Sequence, residues 1–456
     1  MLFNLNSNTQ MQEFLYNRLE LTPLKVANDK GNISVAEEVL VHFAEKLGIQ
    51  FCKLLLDYRK LFKAKNTYID GIKRKITLRE CLLHPDFWLN VAETYRSSSS
   101  NPNFQNIPKH GSIIEGFAWS NIRKMFTALG IDWLLGEVDY VGAEVKIAAL
   151  LTGDKVLIAD LLNDMDMHSH WANVIFGLDK PLHIIKAECK DERFLAKNNF
   201  TFANLFGAGF RSIAEEMRKH DVYYNFIRSI WEDKGHSNQS WNAFFIEYSE
   251  HHIQECQEAF YERYKGVKKW QDDLIAFYRI HGYVENPLGF RRRYPLKSTE
   301  IINYPIQSTS FLILLQSLIE LDDRLIEDDF ESHICGQIHD SGFFNIFERE
   351  AYEVMQLGKE CLTKCHYPFQ KALPLEIEWE LGRTWFDMEG VKQGKGRSAF
   401  KAMSTVIPFD RLEIGQRFLF PNNSGGFRPY VKDSTVMALN FGKHIPFQDD
   451  CLVRLI

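Results

Sequence analysis

The sequence predicts a mixed α/β (α+β) fold. Helical periodicity fills residues 155–280 and much of the first ninety. Three short runs read instead as strands: Trp133 to Asp139, the pair flanking a turn between Cys335 and Phe347, and the alternating Pro374-Leu-Glu-Ile-Glu-Trp-Glu380. At 456 residues the chain is long enough for about three units of ~150 residues. Hydrophobic and charged contents of 45% and 25% are those of an ordinary globular protein. The net charge of −6 does not by itself mark a nucleic-acid binder, although basic groups gathered in one cleft would still create a local field.

In chain order, Ser7 is a candidate N-cap for a helix through Leu19, and Val35–Leu47 and Cys52–Lys65 share its periodicity. The last of these carries Lys53, Arg59, Lys60, Lys63 and Lys65 and leads into Asn66-Thr67-Tyr68, polar groups suited to a phosphate backbone. A polar segment, Arg96 to Pro102, precedes the first strand, and a helix with Val145, Ala148, Ala149 and Leu151 on its apolar side follows it. Ser237–Ser240 reads as a loop. Gly394, Gly396 and Ser398 suggest a linker to a small β-rich module, with strands at Gln416–Phe420, Tyr430–Lys432, Val436–Asn440 and Cys451–Ile456.

Of eight cysteines only Cys361 and Cys365 lie close together, in a stretch that reads as helix, and no second Cys/His pair completes a zinc site. Reduced thiols, the lack of a bilayer-length apolar run and the lack of a signal-peptide layout lead to the expectation of a cytoplasmic protein.

Two strand-borne acids carry the chemistry. Asp139 ends one strand, and Asp340, in Gln337-Ile338-His339-Asp340-Ser341, sits at a hairpin tip. An Asp at a strand end is ordinarily a turn residue. Two on neighbouring strands could hold a pair of divalent ions about 4 Å apart, the arrangement that phosphoryl transfer between nucleotides requires.

At these residues the chain resembles the family A DNA polymerases. Asp139-Tyr140-Val141-Gly142-Ala143-Glu144-Val145-Lys146 resembles that family's motif A, and Gln337-Ile338-His339-Asp340 its motif C. Asn303-Tyr304-Pro305-Ile306-Gln307-Ser308, the stretch from Gly282 to Arg293, and the loop from Arg96 to Pro108 resemble further blocks. So do Phe3–Ser7, Tyr68–Gly71 and the close from Pro374 to Trp385, so the ordered set spans about residues 3 to 388.

The resemblance implies a polymerase right hand: partial thumb at 1–90, palm at 91–160 and 286–392, and fingers at 161–285; the β-rich module, at 400–456, lies beyond it. It implies template-directed DNA synthesis in replication. Primer–template DNA and dNTPs would be partners, with two Mg2+ ions as cofactors and Mn2+ able to substitute. Asp139, Asp340 and the carbonyl of Tyr140 would be metal ligands, and Glu144 the steric gate against a ribose 2′-hydroxyl. His168, Arg193 and Lys197 would meet the triphosphate, Lys197 also acting as general acid. Phe202 and Phe206 would face the incoming and templating bases. Arg96, Gln105, Asn106, Gln307, His339, Arg291 and Arg292 would touch DNA.

Several positions depart from the family pattern. Lys197 precedes Phe202 by five residues instead of four, which would rotate it by about 100° on a regular helix. A π-bulge would restore it. Ser341 stands where the family usually has glutamate, Phe206 replaces tyrosine and Lys146 replaces arginine. The stretch Arg211–Glu250 lengthens the fingers, and its Trp231, Trp241, Phe244 and Phe245 are expected to pack locally.

The match begins inside the thumb and includes no exonuclease block. The expectation is one chain of a split, bacteriophage-type polymerase, with a separate chain carrying the 3′–5′ exonuclease and remaining thumb; a trimmed chain is the alternative. A single-subunit RNA polymerase and an inactive replisome scaffold are the competing functional readings. Glu144 argues against the first, and retention of Asp139 and Asp340 against the second.

Overall fold

The computed structural model describes residues 3–24, 33–76, 81–108, 113–114, 117–118, 122–233, 240–293 and 295–391, with strand residues 417–421, 427–432, 438–440 and 453–455. At its centre is an antiparallel sheet of five strands. Their spatial order is His333–Ile338, Ser341–Phe347, Trp133–Tyr140, Ile377–Gly382, Glu389–Gly390.

The alternation in Trp133–Tyr140 explains what covers each face, because successive side chains point to opposite sides of a strand. Leu134 and Val138 enter the main core with Trp171, Phe200, Phe260, Phe344 and Trp379. Leu135 points the other way, into a smaller core with Phe104, Phe126, Phe343 and Trp385. Glu137 and Asp139 continue that second face toward the strand's end. Pairing agrees with this division: Phe343 lies opposite Glu137, and Phe344 opposite Gly136.

The first face is backed by helices Ala143–Thr152, Ser298–Glu327 and Ala351–Leu362. Ser298–Glu327 contains Pro305, whose missing N–H leaves one carbonyl of the preceding turn without its helical donor. Among the described residues between Asp154 and His281 every regular element is a helix, ending in the long pair Trp241–Arg263 and Lys265–His281. The aromatics from the lengthened stretch pack on one another: Trp231 against Phe244 at 4.8 Å and Trp241 stacked on Phe245 at 5.0 Å between ring centroids.

The N-terminal helices have their own core of Met11, Leu15, Val39, Leu40, Phe43, Cys52 and Leu55. Ser7 caps the first by accepting from the Gln10 N–H, as expected. Helix Gln50–Lys63 runs into a π-helical turn, Ala64–Ile69.

Three features differ from the sequence expectations: the Ser98–Ser100 strand, the place of Cys365 and the pairing of Val453–Leu455. Ser98–Ser100 is a strand paired with Asp86–Trp88, held partly by a 2.9 Å bond from the Trp88 indole N–H to the Ser100 hydroxyl. Cys361 closes helix Ala351–Leu362, but Cys365 lies beyond its end and is exposed. Arg417–Pro421, Phe427–Lys432 and Ala438–Asn440 form one antiparallel sheet. Val453–Leu455, however, pairs in parallel with Leu82–Leu83 and Phe126–Thr127, away from that sheet. The proposed linker at 394–398 and the loop residues Ser237–Gln239 lie outside the described residues. Among the described residues no helix is long and apolar enough to cross a membrane.

One tie joins the sheet's following helix to the long helical pair. Asp154 caps Lys155–Leu162 through the Leu157 N–H at 2.8 Å and accepts the Gly266 N–H at 2.7 Å. A Cβ at Gly266 would lie 2.8 Å from the Asp154 carboxylate and 3.0 Å from its Cα. Gly266→Ala should therefore destabilise by about 1–3 kcal/mol. Gly209→Ala, where φ is −77° and the space is open, should stay within about 1 kcal/mol. Urea melts of the two variants check the contrast.

Candidate active site

Asp139 and Asp340 meet at one end of the sheet. Asp139 is the penultimate residue of the central strand, and its register partners are Ser341 on one side and Glu378 on the other. Asp340 precedes Ser341 in the turn linking His333–Ile338 to Ser341–Phe347. That turn is tight, and His339 takes a left-handed φ of +51° within it.

Negative charge is concentrated here. Loss of hydration among surrounding protein atoms, then repulsion from Asp340, Glu137 and Glu378, pushes Asp139 up to about 7. Arg96 supplies the counter-charge, with one guanidinium nitrogen 2.6 Å from a Glu144 oxygen and 3.2 Å from an Asp340 oxygen. Glu144 opens helix Ala143–Thr152 one turn after Asp139. Its carboxyl is also raised, by desolvation and by Asp340, against the opposing pull of Arg96. Gln105 is bound into the same corner, donating to Ser97 Oγ at 2.7 Å and to the Gln337 carbonyl at 3.2 Å.

A second group lies on the helices. Arg193 makes a two-pronged contact with Asp166 at 3.1 and 3.2 Å, and Asp166 also accepts from the Ser169 N–H and hydroxyl. Burial pushes Asp166 up, but these bonds outweigh it and hold the carboxyl below its usual range. His168 is pushed down to about 4 by burial and by the nearby charges of Lys197 and Arg193, so it is neutral at pH 7. The helix then widens. Ala196–Thr201 is a π-helical turn, with the Phe202 N–H bonded to the Lys197 carbonyl five residues back. This bulge absorbs the extra residue between Lys197 and Phe202 and leaves the lysine ammonium 6.0 Å from the Phe202 ring centre. Phe202 in turn lies 6.0 Å from His168 and stacks on Phe206 at 5.9 Å.

The remaining candidates are more dispersed. His339 is exposed at the turn, and Gln307 is half-buried within Ser298–Glu327. Asn106 lines a cleft of about 450 Å³ with Lys63, Thr67, Tyr68 and Asn103, where the Tyr68 hydroxyl donates to the Asn106 carbonyl at 3.1 Å. Arg291 and Arg292 lie on a separate hairpin, Tyr283–Glu285 with Arg291–Arg293, paired with Glu285 and Glu93 respectively. No hydrogen bond or ion pair among the described residues joins them to the carboxylate corner.

Residue-type reasoning missed Glu137, Glu378 and the Asp166–Arg193 pair. The first was open to discovery: two residues before Asp139 on a strand, Glu137 must share its face.

Among the described residues no three His, Cys, Asp or Glu side chains converge as a ready-made metal cage. The donor set nevertheless fits Mg2+, which takes one or two carboxylates and fills its other positions with water and substrate phosphate. The repulsion that raises Asp139 is what a bound cation would relieve.

An antiparallel sheet thus carries Asp139 near the end of its central strand and Asp340 in the adjoining turn, and the helices carry Arg193, Lys197 and the stacked Phe202 and Phe206. The family model for DNA polymerase family A matches residues 1–387, and the chain belongs to that family. It is 30% identical over 400 residues to the thermostable DNA polymerase I of Thermus filiformis, covering 84% of this chain and 42% of that relative. It is 26% identical over 406 residues to DNA polymerase I of Chloroflexus aurantiacus, covering 86% and 38%. The POL domain of Pol1 from M. smegmatis, in complex with DNA primer-template and dNTP, superposes with a TM-score of 0.67 at 25% identity, covering 84% of this chain and 62% of that one. The chain thus spans about two fifths of the length of these curated relatives.

The charge state of Asp139 has a measurable consequence. Its folded value, about 7, is raised above the ordinary carboxyl value of 3.8, so the metal-free native state holds this proton over that window and the unfolded state does not. Native stability from this group is therefore present below about pH 4 and is lost as pH rises through about 7. Measured against Asp139→Asn, which shares the opposing contribution of His168, the melting temperature of the metal-free protein should fall between these limits in calorimetry against pH.

Proposed function

We propose that the chain performs template-directed DNA synthesis, adding deoxynucleotides to a primer 3′-hydroxyl with release of pyrophosphate, as in DNA replication. The observation that carries this reading is the register that sets Asp139 beside the Asp340 turn on a carboxylate-rich face. Primer–template DNA and dNTPs are its substrates. The solved relative with both bound supports that choice.

On this reading Asp139, Asp340 and the Tyr140 carbonyl hold two Mg2+ ions, with Mn2+ able to substitute. When bound, the ions would activate the attacking hydroxyl and neutralise charge on the leaving pyrophosphate. The chain's own groups do the rest. Arg193 and Lys197 receive the triphosphate, and Lys197 returns a proton to pyrophosphate. Neutral His168 offers an N–H to a phosphate oxygen. Phe202 stacks on the incoming base and Phe206 closes over the templating base. Positioning and charge neutralisation account for most of the rate.

Glu144 is the gate against a 2′-hydroxyl, and its bond to Arg96 fixes the carboxyl's direction. Arg96, Gln105, Asn106, Gln307 and His339 line the route of the primer–template. Arg291 and Arg292 contribute to DNA binding once freed from Glu285 and Glu93.

Primer extension tests the reading. Asp139→Ala and Asp340→Ala should each lower single-turnover incorporation by several orders of magnitude while retaining the fold by circular dichroism; unchanged extension by either variant would refute it. Lys197→Ala should slow the single-turnover rate more than it weakens dNTP binding. Glu144→Ala should reduce discrimination against ribonucleotides by about tenfold or more in competition assays.

A further inference from the structure

The turn presenting Asp340 is braced from beneath by a pair that the mechanism above does not use. Ser341 is buried, and its hydroxyl lies 2.7 Å from a Glu137 oxygen and 2.9 Å from the Ile338 carbonyl. Ile338 is the last residue before the turn and Ser341 the first after it. The hydroxyl therefore ties the two ends of the turn together. Its link to Glu137 ties the turn to the central strand, two residues from Asp139 and on the same face. A serine has one hydroxyl proton and two acceptors in reach here, so it is shared between them. Glu137 lies within electrostatic reach of the Arg123 guanidinium, which rests 4.0 Å from the Trp385 ring.

The opposite side of the turn is held separately. Gln337 donates to the His339 carbonyl and is itself bonded to Ser97 and Gln105. His339 occupies a left-handed conformation that β-carbon-bearing residues adopt at a cost. A turn of this kind keeps one geometry only when its surroundings over-determine it.

From these contacts we infer that Glu137 and Ser341 form a positioning pair, which sets the Asp340 carboxylate against Asp139 and so tunes divalent-ion binding in the proposed polymerase reaction. Neither residue touches substrate. They act through the placement of Asp340, and the inference rests on the reading of Asp139 and Asp340 as metal carboxylates.

The test measures Mn2+ binding to the full chain by electron paramagnetic resonance, with primer–template DNA present and no nucleotide. Glu137→Ala and Ser341→Ala should each weaken Mn2+ binding by about five- to tenfold, the scale of one ordinary hydrogen bond. The double variant should be no weaker than either single one, because the two side chains act as a unit. Glu137→Gln, which keeps an acceptor for the Ser341 hydroxyl, should recover most of the loss. Raised Mn2+ should restore extension by the single variants. If the singles lower the melting temperature and leave Mn2+ affinity unchanged, Glu137 serves only Arg123 and local folding, and the inference fails. Additive losses in the double variant would also overturn it. Asp340→Ala is the control: unchanged Mn2+ binding in that variant would mean that the metal reading itself is wrong.

Discussion

The antiparallel register of Trp133–Tyr140 against Ser341–Phe347 and Ile377–Gly382 is the constraint on which the rest depends. A slip of one residue would turn every side chain of a strand to the other face. Asp139 would then enter the main core, and Val138 would leave it. The hydrophobic division on either side of the sheet, with Phe344 and Trp379 in one core and Phe343 and Trp385 in the other, therefore fixes where the acids point. Apolar packing sets the geometry of a highly polar site.

The site stores electrostatic conflict. Asp139, Asp340, Glu137 and Glu378 crowd one end of the sheet, and burial together with this crowding holds Asp139 partly protonated near neutrality. Arg96 offsets part of this by bridging Glu144 and Asp340. A cation that relieves such repulsion binds more tightly than it would to isolated carboxylates, because the free state is already destabilised. On the helical side the balance is reversed. There burial, reinforced by Lys197 and Arg193, keeps His168 uncharged.

Much of this was legible in the sequence. Short apolar runs placed the first two strand regions and period-two alternation the third, and the ordered motif blocks singled out Asp139 and Asp340. The five-residue interval from Lys197 to Phe202 called for a π-bulge, and Ala196–Thr201 is one. What escaped depended on distant pairing. Ser98–Ser100 has no apolar pattern and is a strand because Asp86–Trp88 lies beside it. Val453–Leu455 was readable as a strand, but its neighbours, more than three hundred residues earlier, were not. Glu137 looked like an ordinary polar residue in an apolar run until its contact with Ser341 gave it a place.

Anomalous scattering from Mn2+ would test the central claim most directly, in crystals of the chain with primer–template DNA and a non-hydrolysable dNTP. The account predicts two peaks about 4 Å apart, both within coordination distance of Asp139 and Asp340. Peaks coordinated elsewhere, or none at these two carboxylates, would contradict it.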